Sequence, residues 1–158
     1  MAPKVCLVVV FITVAGMASP FAVEHIIIPE PVKSRHAQGI ALGPSGDPME
    51  GVHVQVFDRP ELLSDSKISW AEAEKLRHQL ADQMTKADGS FRFDLRPGKY
   101  EIRLTRNEMG FDPLSFVLVV EKGSSKRRVC VYMRPEGGSA GGNIALCDTA
   151  PRQEAAPT

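Results

Sequence analysis

The sequence predicts an all-β sandwich of six or seven short strands with one inserted α-helix. Three observations carry this reading. Apolar and polar residues alternate over several short runs, Gly and Pro turns separate those runs, and one segment after Pro60 changes to helical spacing. At 158 residues the chain has room for one domain with a substantial core.

The amino terminus has a different character. Lys4 precedes an apolar run over residues 5–18 that ends in small residues, the layout of a secretory signal peptide. The run is shorter than the ~20 apolar residues that span a bilayer, and Pro20 follows it. A cut after Ala18 places Gly16 and Ala18 at the −3 and −1 positions, with Ala22 as the alternative. No lipobox accompanies it, because Cys6 lies at the start of the run. Residues 1–18 are therefore expected to be a signal peptide, the mature chain to be exported, periplasmic or secreted, and no stable membrane span to remain after cleavage.

Residues 19–35 read as an extended lead-in, since the β-branched residues Ile26, Ile27 and Ile28 are followed by Pro29 and Pro31; an edge strand is the other reading. Strands are expected near residues 37–42, 51–57, 90–96, 99–105, 114–121 and 126–133. In the second, Val52, Val54 and Val56 share one face and His53, Gln55 and Phe57 the other, and it joins the first as a hairpin with a longer loop. Next comes a helix over about 69–84, in which Ala73, Leu76, Leu80 and Met84 recur at helical spacing and Ser69 with Glu72 forms a capping box.

Asp88-Gly89 then makes a turn, and Phe91, Phe93 and Leu95 alternate with Arg92, Asp94 and Arg96. Pro97-Gly98 makes the next reversal, after which Tyr100, Ile102 and Leu104 face inward while Lys99, Glu101, Arg103 and Thr105 face water. The run at 114–121 is continuously apolar, as in a strand covered on both faces. In the last strand Val129, Val131 and Met133 point in, Cys130 and Tyr132 out. Residues 134–158 form a Gly/Pro-rich tail whose final residues carry no core signal.

Charge excludes one class of partner. Nineteen basic residues balance nineteen acidic ones, so no field gathers nucleic acid or an anionic membrane. Loss of residues 1–18 leaves two cysteines, Cys130 and Cys147, an even count that suggests a disulfide in an exported chain, two separate thiols being the alternative. Such a bond would tether the Gly-rich tail over the outer face of the last strand, with Ile144 and Leu146 to bury.

Catalytic and metal chemistry lack support. His25, His36, His53 and His78 fall on different elements without ligand spacing, and are expected to be solvated. Asp47, Glu50, Asp88 and Asp112 lack the dense acidic spacing of a calcium loop. No nucleophile elbow or Walker loop is present. Lys33 and Asn143 flank the sandwich but read as exposed side chains rather than partners in an isopeptide bond. Neither a metal nor a cofactor is expected.

The segment 39–57 with Gly39, the Gly46 and Pro48 turn and Gly51 before Val-x-Val, followed by Thr85, Asp88, Gly89, Phe91, Phe93, Leu95, Pro97, Gly98 and Tyr100, resembles the carboxypeptidase regulatory-like domain. The resemblance covers residues 36–133 and implies a seven-stranded transthyretin-like sandwich with Ig-like Greek-key topology. The long link holding the helix and the tail after Met133 depart from that family's pattern. With export expected and catalytic motifs lacking, the chain reads as a non-enzymatic module for protein interaction or structural support in the cell envelope.

A carbohydrate-binding module is the alternative, with Phe57, Trp70 and Tyr132 as the aromatics of a binding surface, although Trp70 could simply anchor the helix. A hydroxyisourate-hydrolase-like enzyme is a third reading, disfavoured because the terminal Tyr-Arg-Gly-Ser is replaced by Tyr132 with an interrupting Met133 and Pro-Glu-Gly. The partner expected is a protein or a glycan in the envelope or outside the cell.

Overall fold

The computed structural model describes residues 25–106, 110–123, 127–138 and 142–148. The predicted signal peptide and the end of the tail lie outside the described residues. Nine strands are present among them: β1 Ile26–Ser34, β2 Ala37–Leu42, β3 His53–Phe57, β4 Gln79–Met84, β5 Ser90–Phe93, β6 Gly98–Thr105, β7 Leu114–Val120, β8 Arg128–Tyr132 and β9 Asn143–Cys147. They form a five-stranded sheet in the order β1-β7-β6-β3-β4 and a four-stranded sheet in the order β5-β2-β8-β9. The predicted all-β sandwich with one inserted helix is the architecture observed.

The alternation read from the sequence sets the core. Val54, Val56, Ile102, Leu104, Leu114, Phe116 and Leu118 from the larger sheet meet Ala37, Ala41, Phe91, Phe93, Val129 and Val131 from the smaller one, all buried. Each fully buried aliphatic or aromatic side chain contributes roughly 1.5–3 kcal/mol. Gly89 has φ +71°, and a Cβ there would lie 2.5 Å from the Ala41 carbonyl oxygen, so the turn before β5 needs glycine. Beside it the buried Thr85 hydroxyl accepts from the Val52 amide (2.9 Å) and donates to the Met49 carbonyl (2.7 Å).

Four expectations are corrected. The helix does not span 69–84: α1 is Trp70–Leu76, and Gln79–Met84 is the edge strand β4, antiparallel to β3. A spacing of four is an even number, so Leu80 and Met84 share a face of a strand as readily as of a helix. Arg77 leaves the helix with ψ 145° and is drawn under it, which frees the next residues to extend along β3.

Of the two readings of the lead-in the edge strand is the one observed: β1 runs parallel to β7 at the edge of the larger sheet, with a register shift between Ile28 and Val32 across the proline pair.

The two expected hairpins are crossovers instead. β2 lies in the smaller sheet and β3 in the larger, and likewise β5 and β6, so both connections pass from one sheet to the other. Tyr100 folds back on the second of these, its hydroxyl donating to the Arg96 carbonyl at 2.9 Å.

The tail does not lie over the outer face as a loop. Residues 143–147 pair with β8 as β9, and Cys130 and Cys147 form a disulfide with Cα atoms 5.9 Å apart. Cys130 faces Ala145, so the bond is the diagonal one on a single sheet face.

Glu101, expected in water, is fully buried. The reason lies in the segment that joins β3 to β4.

Candidate functional site: the inserted segment and the groove beside it

Residues 58–78 leave the sheet and return to it at one neck. There the Asp58 amide donates to the His78 carbonyl (3.1 Å), while Asp58 Oδ1 accepts from the His78 amide (2.7 Å) and Oδ2 meets His78 Nδ1 (3.0 Å). Arg59, at φ 50°, and Pro60 turn the chain into a short 3-10 helix, Pro60–Leu63. The predicted capping box then starts α1: Ser69 Oγ accepts from the Glu72 amide (3.3 Å) and the Ser69 amide donates to Glu72 Oε2 (2.9 Å).

The segment is fastened to the outer face of the larger sheet by a layered cluster. Phe57, at the end of β3, is the floor, only 7% exposed. Above it lie the guanidinium carbons of Arg77 (5.2 Å) and Arg103 (4.7 Å), and Trp70 covers both at 4.8 and 5.2 Å. Arg77 donates to Glu101 and to Glu74, Arg103 donates to Glu74 (2.5 Å), and Ser115 Oγ donates to Glu101 (3.0 Å). Two arginines and two glutamates cancel, as burial of charge requires.

His25 completes the rim. Its ring meets Trp70 edge-on, with centroids 4.4 Å apart, and Nε2 lies 2.9 Å from Ser115 Oγ. Ser115 has one hydroxyl hydrogen and gives it to a carboxylate, so His25 Nε2 must be the donor. Burial, then the charges of Arg103 and Arg77, lower its pKa to about 4, against an opposing effect of Glu74. Burial pushes the Glu74 carboxyl up, but Arg103 and Arg77 outweigh it and the net shift is downward. The expectation of solvated histidines is corrected at His25. His53 does stand near the surface, beside Asp82 at 2.9 Å, as does His78 beside Asp58.

Next to this cluster the 3-10 helix stands off the sheet and leaves a groove of about 580 Å³. Ile27, Ile28 and Pro31 of β1 form one wall, Pro60 and Leu63 the other; Val117 belongs to the floor, and Lys99 and Glu61 are its charged members. Ile27 of β1 follows His25 by two residues, so the groove adjoins the Trp70 cluster. A cleft of this size with mostly apolar walls suits branched or aromatic side chains rather than a reacting polar group.

The three aromatics singled out in the sequence separate. Phe57 is buried under the arginines and is no binding surface. Trp70 is 38% exposed, but its ring is engaged by both arginines and by His25. Tyr132 sits on the other sheet, half-buried against Ile40, Leu42 and Cys130. The residues missed were His25, Glu74, Arg77, Glu101, Arg103 and Ser115. Alternating charged positions look the same whether water or a helix covers them, and only Trp70 hinted at a lid. Among the described residues no group of three or more His, Cys, Asp or Glu could hold a metal ion. No helix among them is long and apolar enough to cross a membrane.

No protein-family model and no curated protein matches the chain. In solved structures it is similar to sea bream transthyretin, crystallised with thyroxine, at 12% identity and TM-score 0.45, covering 73% of this chain and 98% of that one. Transthyretin from Sparus aurata is matched at 12% identity and TM-score 0.44, covering 73% and 100%. Likenesses at this distance assign the chain no ligand and no activity.

Proposed function

We propose that this chain is an exported, non-enzymatic module of carboxypeptidase regulatory-like type that holds a protein partner against the outer face of its larger sheet. The observation that supports this reading is the groove between β1 and the 3-10 helix, with its apolar walls. The ion cluster supports it as well, because it fastens the segment that builds one wall. A partner placing two or three apolar side chains there would bury surface now facing water.

A photocrosslinking residue at Leu63, compared with one at Leu146 on the opposite sheet, tests the site. The expected result is one discrete adduct from position 63 that disappears on Val117→Trp, which fills the floor. Equal crosslinking from both positions would remove the groove from consideration. Export is tested separately by cell fractionation and amino-terminal sequencing of the mature chain. The carbohydrate reading wants a flat aromatic platform, and the separation of Trp70 from Tyr132 counts against it. The hydrolase reading wants histidines that converge, whereas His25, His53 and His78 each have a different partner.

A further inference from the structure

The outer face of the smaller sheet carries a second cleft, remote from the groove. Strand register places Gln38 of β2 beside Arg92 of β5. In the parallel pair of β2 with β8, Gly39 lies beside Val129, so Gln38 falls level with Arg128. Arg92, Gln38 and Arg128 thus form a row on one face, and neighbouring strands are ~4.8 Å apart, so two guanidiniums on flexible stems flank one amide. Lys86, Gln83 and Ser90 join them around a cavity of about 300 Å³.

Two features of this cavity point to a ligand. Its charged lining is three cations and no carboxylate. Among the described residues none of Lys86, Arg92 and Arg128 forms a salt bridge, whereas Arg77 and Arg103 do. Asp88, close by in the turn, accepts from the Ser90 amide on Oδ1 at 3.0 Å and interacts with the Lys86 charge at longer range, but it forms no salt bridge with Lys86 and does not line the cavity.

The site is also built. The Gln83 amide lies against the Arg92 backbone and, oriented so that its nitrogen meets the Arg92 carbonyl (3.1 Å) and its oxygen the Arg92 amide (2.6 Å), closes the edge of β5. That clip holds the Arg92 backbone at the corner between the two sheets. The tight turn from Lys86 to Gly89, closed by a 2.8 Å backbone hydrogen bond, holds Lys86.

We propose that this cleft binds a tetrahedral oxyanion, phosphate or sulfate, free or as the ester of a small polar molecule. Arg92 and Arg128 would grip it as planar forks with Lys86 as a point charge. The cavity lies at the small end of the ~300–1,000 Å³ range of ligand pockets, which fits a small ligand. Gln38 and Ser90 would meet hydroxyl groups on it. This inference is independent of the groove, since the two cavities share no lining residue.

The test is a nuclear magnetic resonance titration of the full chain, disulfide intact, with inorganic phosphate, glucose 6-phosphate and glucose against sodium chloride of matched ionic strength. The expected result is saturable shifts of the Arg92 and Arg128 Nε–H signals with both phosphates and none with glucose. Tighter binding of the ester assigns it as the ligand class, and equal affinity assigns the free ion. Arg92→Gln and Arg128→Gln should each weaken binding about tenfold, and the double variant should abolish saturation while its melting curve stays unchanged. Shifts no larger than those in sodium chloride, or undiminished affinity in the folded double variant, would overturn the proposal.

Discussion

Arg77 and Glu101 form an ion pair in which neither side chain is exposed to solvent. Arg77 belongs to the inserted segment and Glu101 to the middle of the larger sheet, so the pair sets where the insertion lands. Removing either partner strands a charge, and Arg77→Met or Glu101→Leu alone should destabilise the chain by about 3–5 kcal/mol. Changing both together should cost less than the sum of the two. Urea unfolding of the four proteins checks this, and simple additivity would mean that the residues act separately.

Acid should loosen the same region. His25 titrates near pH 4 in the folded chain and near 6.5 when unfolded. Between those values the unfolded state binds more protons, so stability is full above about pH 6.5 and falls as pH drops toward 4. Glu74, with its carboxyl held low, acts in the same sense at still lower pH. His25→Gln keeps a donor toward Ser115 but cannot titrate, and should flatten the change in urea midpoint between pH 7 and pH 5. An unaltered pH slope in that variant would refute the assignment.

Trp70 should control that titration. Trp70→Ala opens the roof over Arg77 and Arg103 and admits water to His25, whose pKa should rise from about 4 toward its ordinary value. The imidazole carbon-bound proton signals measure it directly, and an unmoved pKa would show that Trp70 shields nothing.

Thr85 joins two backbone groups that have lost contact with water. Thr85→Val preserves shape but leaves the Val52 amide and the Met49 carbonyl without the hydroxyl, a loss of roughly 1–3 kcal/mol. Thr85→Ser should retain most of the stability. Equal loss in both variants, read from thermal melts, would point to packing of the methyl group instead.

The disulfide should matter locally first. Cys130 and Cys147 close a loop with sequence separation 17, for which loop-closure entropy contributes about 3 kcal/mol. Reduction should therefore release β9 from β8 before the sheet itself opens. Hydrogen exchange is expected to quicken at residues 143–147 while β2 and β7 keep their protection; uniform quickening would argue for a single cooperative unit.

The amino-acid sequence by itself determined which faces are dry. Val54, Val56, Phe91, Phe93, Ile102, Leu104, Val129 and Val131 alternate because a strand repeats every two residues, and the turns at Asp88-Gly89 and Pro97-Gly98 and the capping box are written in residues a few positions apart. Alternation is silent about which sheet a strand joins, so the crossovers from β2 to β3 and from β5 to β6 emerged only when the chain packed. Leu80 and Met84 fit either period, and the open edge of β3 turned their segment into strand. Glu101 and Arg103 look like any wet positions until Arg77 and Trp70, distant in sequence, come to rest above them. Local periodicity is a property of neighbours along the chain, whereas charge pairing and cover depend on what folding brings alongside.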